Sequence, residues 1–159
     1  MQIPSSVKSL GADVFKGCSS LKKVTFSSSC NEIPYSFFEN CTALTEIEIP
    51  SFINRIKGFA FRNCTSLKKV TIPDSVSVLG SAIFKGCSSL IQISIPSSVV
   101  EIGFSLFEGC SSLVDVEIPN SLNDIKWSTF KGCESLQKIK LPPSDFTEEG
   151  MSISTSFEH

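Results

Sequence analysis

Cysteine is the residue type whose number and spacing first suggest chemistry in this chain. Six of the seven cysteines recur every 23 residues, and only Cys30 falls outside that series. The series consists of Cys18, Cys41, Cys64, Cys87, Cys110 and Cys133. A thiol nucleophile needs a base beside it, but the only histidine is His159, the last residue. No Cys-His or Ser-His pair can therefore form within the series, and we predict no catalytic residue.

The same cysteines could also bind a metal or form disulfides. No C-x-x-C pair is present, so we predict no metal site and no bound cofactor. If each period is one coil of a stack, equivalent cysteines lie about 4.8 Å apart, a separation that a disulfide tolerates. Thiols that point the same way into a core seldom reach the disulfide torsion. We expect free, buried thiols, with disulfides as the alternative and Cys30 as the thiol to test for reactivity.

Charged side chains form two further rows with the same spacing. One row reads Lys23, Glu46, Lys69, Gln92, Asp115, Lys138, and the other reads Thr25, Glu48, Thr71, Ser94, Glu117, Lys140. Opposite charges alternate along parts of both rows, which predicts either a self-neutralising ladder, worth a few tenths of a kcal/mol per pair, or a polar binding face. The candidate ligand-binding residues are Lys23, Glu46, Glu48, Lys69, Asp115, Glu117 and Lys138.

Two large aromatic residues form the other candidate contact patch. Phe104 and Trp127 stand one period apart, in a column that otherwise holds Ala12, Tyr35, Gly58 and Ser81. We expect the two rings to be adjacent on or near an outer turn, where neighbouring large apolar groups can mark a contact site. Packing against each other or against the C-terminal residues is the alternative.

The elements that position these residues follow from the period itself. The stretch Leu113-x-x-Val116-x-Ile118 recurs along the chain and predicts a short strand with alternate side chains in the core. A proline closes most of the strands, and residues 103–108 predict a single helical or 3₁₀ turn. Gly or Asn then occupies one column, from Gly17 to Gly132, as a positive-φ cap. A column of phenylalanines, from Phe15 to Phe130, is predicted to fill the core.

The repeated pattern resembles the BspA-type leucine-rich repeat family. The segment F-x-[GN]-C-[ST]-x-L recurs in six copies, with one departure at Glu134, and the second repeat departs further at Ser27 and Cys30. The resemblance implies an α/β solenoid, a right-handed superhelix with a parallel sheet on the concave face and short helical turns on the convex face. It also implies an adhesion-type protein, at the cell surface or secreted, that binds host matrix or cell-surface proteins.

Two segments are expected. Residues 1–141 form the repeat array, about six repeats of 23 residues, and residues 142–159 form a C-terminal cap or a flexible tail. Because little precedes Ile3, the first coil is expected to lack a cap, so that the chain is a fragment or meets another chain there. Asn40 and Asn63 begin N-x-[ST] sequences, and either the cap geometry or glycosylation accounts for them.

Composition excludes several classes of function. A net charge of −2 gives no basic excess for nucleic acid, and no apolar run is long enough to span a membrane. We expect no signal peptide in this chain, because its first residues lack a basic stretch followed by an apolar run. We predict a non-enzymatic recognition or adhesion module that binds a protein ligand on the concave sheet. The alternative is a structural spacer that self-associates through its ends.

Overall fold

The computed structural model describes residues 1–26 and 30–140, and over these ranges the chain is a parallel β-solenoid. Every strand pair joins residues one period apart: Glu46 lies beside Lys69 and Asp115 lies beside Lys138. The sequence period is therefore the length of one coil, as predicted. The predicted C-terminal cap or tail at residues 142–159 lies outside the described residues.

Short strands form two kinds of sheet. In chain order, the strands of the described residues are β1 (Glu32–Ile33), β2 (Glu46–Glu48), β3 (Arg55–Ile56), β4 (Lys69–Thr71), β5 (Val78–Leu79), β6 (Gln92–Ser94), β7 (Glu101–Ile102), β8 (Asp115–Glu117) and β9 (Lys138–Lys140). The even-numbered strands and β9 pair as β2-β4 and β6-β8-β9, and we call their surface the sheet face. The other odd-numbered strands pair in the order β1-β3-β5-β7 and form the side sheet.

The sheet face matches the predicted strand pattern. In β2 and β8 the central residues, Ile47 and Val116, are buried, and their neighbours on both sides are exposed. An isolated parallel bridge between Gln2 and Thr25 extends the pairing toward the N-terminus. The side sheet was not predicted, because two-residue strands are too short to show an alternating pattern.

The predicted helical turn on the outer surface is not observed. We call residues 104–109 and their equivalents in the other coils the turn face, and the described residues contain no helix there or elsewhere. The N–H groups of Ser105, Phe107 and Gly109 donate to carbonyls of the next coil, at 3.3, 3.0 and 2.7 Å. A helix would need those donors within its own segment. The remaining donors close local turns, such as Cys110 N–H to Phe107 O at 3.0 Å.

Two columns of the turn face have positive φ. The Gly/Asn column does so as predicted, with φ of 74° at Gly17 and 62° at Asn40. The second column, two residues before each core phenylalanine, holds Asp13, Ser36, Phe59, Ala82, Ser105 and Ser128, with φ between 51° and 62°. A left-handed residue at this point interrupts any right-handed helix, which is a second reason why no helix forms.

The phenylalanine column fills the core as predicted. Neighbouring rings lie nearly parallel, with centroids 5.7 Å apart for Phe61 and Phe84 and 5.8 Å apart for Phe84 and Phe107. Phe38, Phe61, Phe84 and Phe107 are fully buried. The rings are therefore structural and are not exposed for stacking on a ligand.

Two glycines permit a close approach between coils at the end of the side sheet. A Cβ at Gly80 would lie 2.5 Å from the backbone nitrogen of Gly58, and one at Gly103 would lie 2.3 Å from that of Ser81. Any side chain at either glycine would therefore meet backbone atoms of the previous coil. This packing fixes where the side sheet ends and the turn face begins.

Candidate functional site

The cysteine column forms a ladder of hydrogen bonds between coils. From Cys41 onward, each thiol of the column donates to the carbonyl of the phenylalanine 26 residues earlier, as in Cys64 Sγ to Phe38 O at 3.1 Å. The same carbonyl accepts the N–H of Cys41 at 3.0 Å. Each such carbonyl therefore receives donors from two coils. Burial and this hydrogen bond explain the column without catalysis.

Burial also makes these thiols poor nucleophiles. Desolvation raises the pKa of Cys41 and that of Cys133 from 9.0 to about 11, and the pKa of Cys87 well above its ordinary value. All seven cysteines are free. Cys30, the predicted candidate for reactivity, is buried, whereas Cys18 in the first coil is the exposed thiol. The prediction of buried thiols therefore fails at Cys18.

The sheet face brings the predicted charged residues into register but does not pair most of them. Lys23, Glu46, Lys69, Asp115 and Lys138 are all exposed. Within the described residues, no ion pair joins any of these five side chains. The predicted ladder of ion pairs is thus not formed among Lys23, Glu46 and Lys69, or between Asp115 and Lys138.

Apart from Glu32–Lys57 beside the side sheet, the ion pairs between coils in the described residues lie on the turn face, in a column that the sequence reasoning missed. Lys16 and Arg62 flank the Glu39 carboxylate at 3.2 and 3.5 Å, and Lys85 lies 3.0 Å from Glu108. A hydrogen bond from Lys85 lowers the pKa of Glu108. The signal was the alternation of Lys, Glu and Arg at residues 16, 39, 62, 85, 108 and 131. This column links neighbouring coils by ion pairs on the turn face.

Phe104 and Trp127 lie together at the border of the side sheet and the turn face. Their ring centroids are 4.7 Å apart at an angle of 30°, and 42% of Phe104 and 66% of Trp127 are exposed. Two other exposed rings are covered by cations: Lys57 lies 5.6 Å from the Tyr35 centroid, and Arg62 lies 5.7 Å from that of Phe59.

The two N-x-[ST] asparagines link neighbouring coils. Asn63 Nδ2 donates to Asn40 Oδ1 at 3.0 Å, and both residues have positive φ. Their backbone conformation and this side-chain bond account for both positions.

Residues 1–26 and 30–140 lack two further kinds of functional feature. No group of three or more His, Cys, Asp or Glu side chains there could hold a metal ion. The same ranges contain no helix with the length and hydrophobicity needed to cross a bilayer.

Comparisons with known proteins agree on the repeat type. The chain matches the family of BspA type leucine rich repeat regions in six copies, over residues 1–88 and 31–153. A leucine-rich repeat protein of T. pallidum is 33% identical, with a TM-score of 0.82, over 87% of this chain and 67% of that chain. No curated protein matches significantly.

Two further solved structures are similar. A leucine-rich repeat protein of Bacteroides ovatus is 28% identical, with a TM-score of 0.78, over 89% of this chain. A leucine rich cell surface protein of Faecalibacterium prausnitzii is 24% identical, with a TM-score of 0.75, over 91% of this chain, and supports the fold alone. The chain spans only 42% and 48% of those two proteins.

Proposed function

Because the chain belongs to the family of BspA type leucine rich repeat regions, we propose that it is a non-enzymatic recognition module that binds a protein ligand on the sheet face. Repeat solenoids of this kind commonly act as protein-interaction modules, because stacked coils present a long, regular surface. In this proposal the sheet face is the concave side of a right-handed superhelix.

The observation that supports the proposal is that four charged side chains of the sheet face are exposed and do not pair with one another. Glu46, Lys69, Asp115 and Lys138 are exposed at regular intervals and make no ion pairs with one another. Charged groups left open in this way can pair with a complementary partner, which gives a binding surface its specificity and speeds association. The turn-face column, by contrast, already carries ion pairs between coils.

Location belongs to the same proposal. The family resemblance argues for adhesion at the cell surface or outside the cell, with host matrix or cell-surface proteins as ligands. Antibody staining of intact, non-permeabilised cells tests the location, and staining that appears only after permeabilisation would contradict it.

A binding assay with charge-reversed variants tests the ligand face. Glu46→Lys/Glu48→Lys and Asp115→Lys/Glu117→Lys are each compared with the unchanged chain for binding to a panel of purified matrix proteins and to intact cells. We expect each pair of reversals to weaken binding at least about tenfold, because like charges across an interface cost several kcal/mol.

The matched control is Asp74→Lys/Glu134→Lys, which makes the same charge change at exposed turn residues off the strands. Binding that survives both sheet-face variants would contradict the proposal. If those variants also left concentration-dependent self-association intact, the spacer or assembly alternative would be favoured.

A further inference from the structure

Three periods separate two related groups of side chains on the side of the solenoid. Near the N-terminus, Glu32 Oε1 lies 2.8 Å from Lys57 Nζ, and Lys57 Nζ lies 5.6 Å from the Tyr35 ring centroid. The Lys57 cation thus contacts both the Glu32 carboxylate and the Tyr35 ring. Three periods of 23 residues later, the equivalent positions are Glu101, Lys126 and Phe104.

The second group also has a glutamate, a lysine and an aromatic residue, with Phe104 in place of Tyr35, but it is arranged differently. Lys126 Nζ pairs with Asp124 Oδ2 instead of with Glu101. The reason lies in the neighbouring column: Asp124 stands where the first group has Arg55, so an acid has replaced a base beside the lysine. Asp124 therefore takes the ion pair with Lys126. The hydrogen bond to Asp124 is the main cause that raises the pKa of Lys126, and the charge of Glu101 adds to it without forming an ion pair.

Among the described residues, the second group thus has an acid without an ion pair and two rings without a cation over them. Glu101 is exposed, and across the described residues no ion pair involves it. Phe104 and Trp127 contact each other, and neither ring has a Lys or Arg over it in residues 1–26 and 30–140. Trp127 occupies the position that Gly58 holds beside Tyr35, so the second group also has the larger aromatic surface.

We propose that Glu101, Phe104 and Trp127 bind a cationic side chain, arginine above all, on a partner protein. The partner's cation would take the place that Lys57 holds over Tyr35, with Glu101 acting as Glu32 does. Arginine suits the site because its guanidinium plane stacks on an aromatic face and donates to a carboxylate at the same time. The site lies on the side of the solenoid, away from the sheet face, so the two proposed binding sites can be tested separately.

Trp127 is the only tryptophan in the chain, so its fluorescence reports on this site alone. The full chain is titrated with a short acetylated peptide containing two arginines, and with the same peptide carrying citrulline, which has nearly the same shape but no charge. We expect a saturable change with the arginine peptide only, and a weaker response at high salt because screening reduces charge attraction.

Variants test each part of the site. Glu101→Gln and Phe104→Leu, which keep size or apolarity but remove the charge or the ring, are each expected to weaken arginine-peptide binding about threefold or more. Lys126→Ala should strengthen it, because it removes the competing cation. The matched control Glu32→Gln makes the same charge change in the same column and should leave the titration unchanged.

Three results would overturn the proposal. One is an equal response to the arginine and citrulline peptides. Another is a saturable response to a neutral oligosaccharide without one to the arginine peptide, which would identify a sugar-stacking surface. The third is an equal effect of Glu32→Gln and Glu101→Gln. Loss of matrix-protein binding in the sheet-face variants, with an unchanged peptide titration, would support the two sites separately.

Discussion

Each buried cysteine of the repeat serves as a donor as well as a small apolar group. Cys87 Sγ lies 3.1 Å from Phe61 O, and Cys110 Sγ lies 3.1 Å from Phe84 O. Alanine at these positions would fill less space and leave the carbonyl with one donor fewer. The buried position of these residues could be predicted from the spacing, but their partners could not, because the bond joins different coils.

The raised thiol pKa values predict a loss of stability at high pH. The folded state holds the proton of Cys41 and of Cys133 up to a pKa of about 11, against 9.0 for the ordinary thiol. Between these values the folded state binds more protons than the unfolded state, so the free energy of unfolding falls as pH rises. Urea unfolding at a series of pH values from about 8 to 11.5 measures this slope.

The control for that slope is the double variant Cys41→Ala/Cys133→Ala. It should be less stable than the unchanged chain at pH 8 but should lose less stability on going to high pH. Equal slopes for the two proteins would show that other groups cause the alkaline loss, Lys16 being one, since Glu39 raises its pKa.

At the level of elements, the turn face differs most from its prediction. Its second positive-φ column holds Asp, Ser, Phe and Ala, none of them glycine, so the usual sequence signal of a left-handed residue is missing. The six residues available were expected to form a single helical turn, but their N–H groups bond carbonyls of the next coil instead. That choice depends on stacking, which a single repeat does not reveal.

Two glycines of one coil should respond very differently to alanine. A Cβ at Gly103 would lie 2.3 Å from backbone of the previous coil, whereas one at Gly109 would lie 3.7 Å from Gly86. Gly109→Ala should cost about 1–2 kcal/mol for its positive φ, and Gly103→Ala about 3 kcal/mol or more, because backbone must move. Urea denaturation of both variants measures the difference, and equal costs would contradict the close approach of the coils.

At the scale of the whole molecule, the strands of residues 1–26 and 30–140 contact only strands of neighbouring coils. The period, the sheet face, the apolar columns and the phenylalanine core could be predicted from sequence, because each repeats in register. The sheet-face charges were assigned to the right surface, but their pairing was not predictable, since it depends on side-chain geometry. The sequence analysis did not single out Glu101, because its lack of an ion pair depends on the pairing of Lys126 with Asp124.

Stacking at a fixed period predicts that whole coils can be removed. Deleting residues 73–95, one period of 23, joins Ile72 to Pro96 and keeps every column in register. We expect a folded chain with the same far-UV circular dichroism shape and a urea m-value lower by roughly one seventh. Deleting residues 73–94 instead shifts every later column by one place and should prevent cooperative folding. Similar stability for both deletions would contradict a strictly periodic stack.

Because each buried thiol of the column bonds to the coil before it, its reactivity reports local unfolding of that coil. One thiol per coil is shielded for as long as the coil before it stays docked, and Cys18 is already open. A thiol reagent under native conditions would therefore modify the cysteines in an order set by local opening of each coil. Mass spectrometry of the partly modified chain would show from which end the solenoid comes apart.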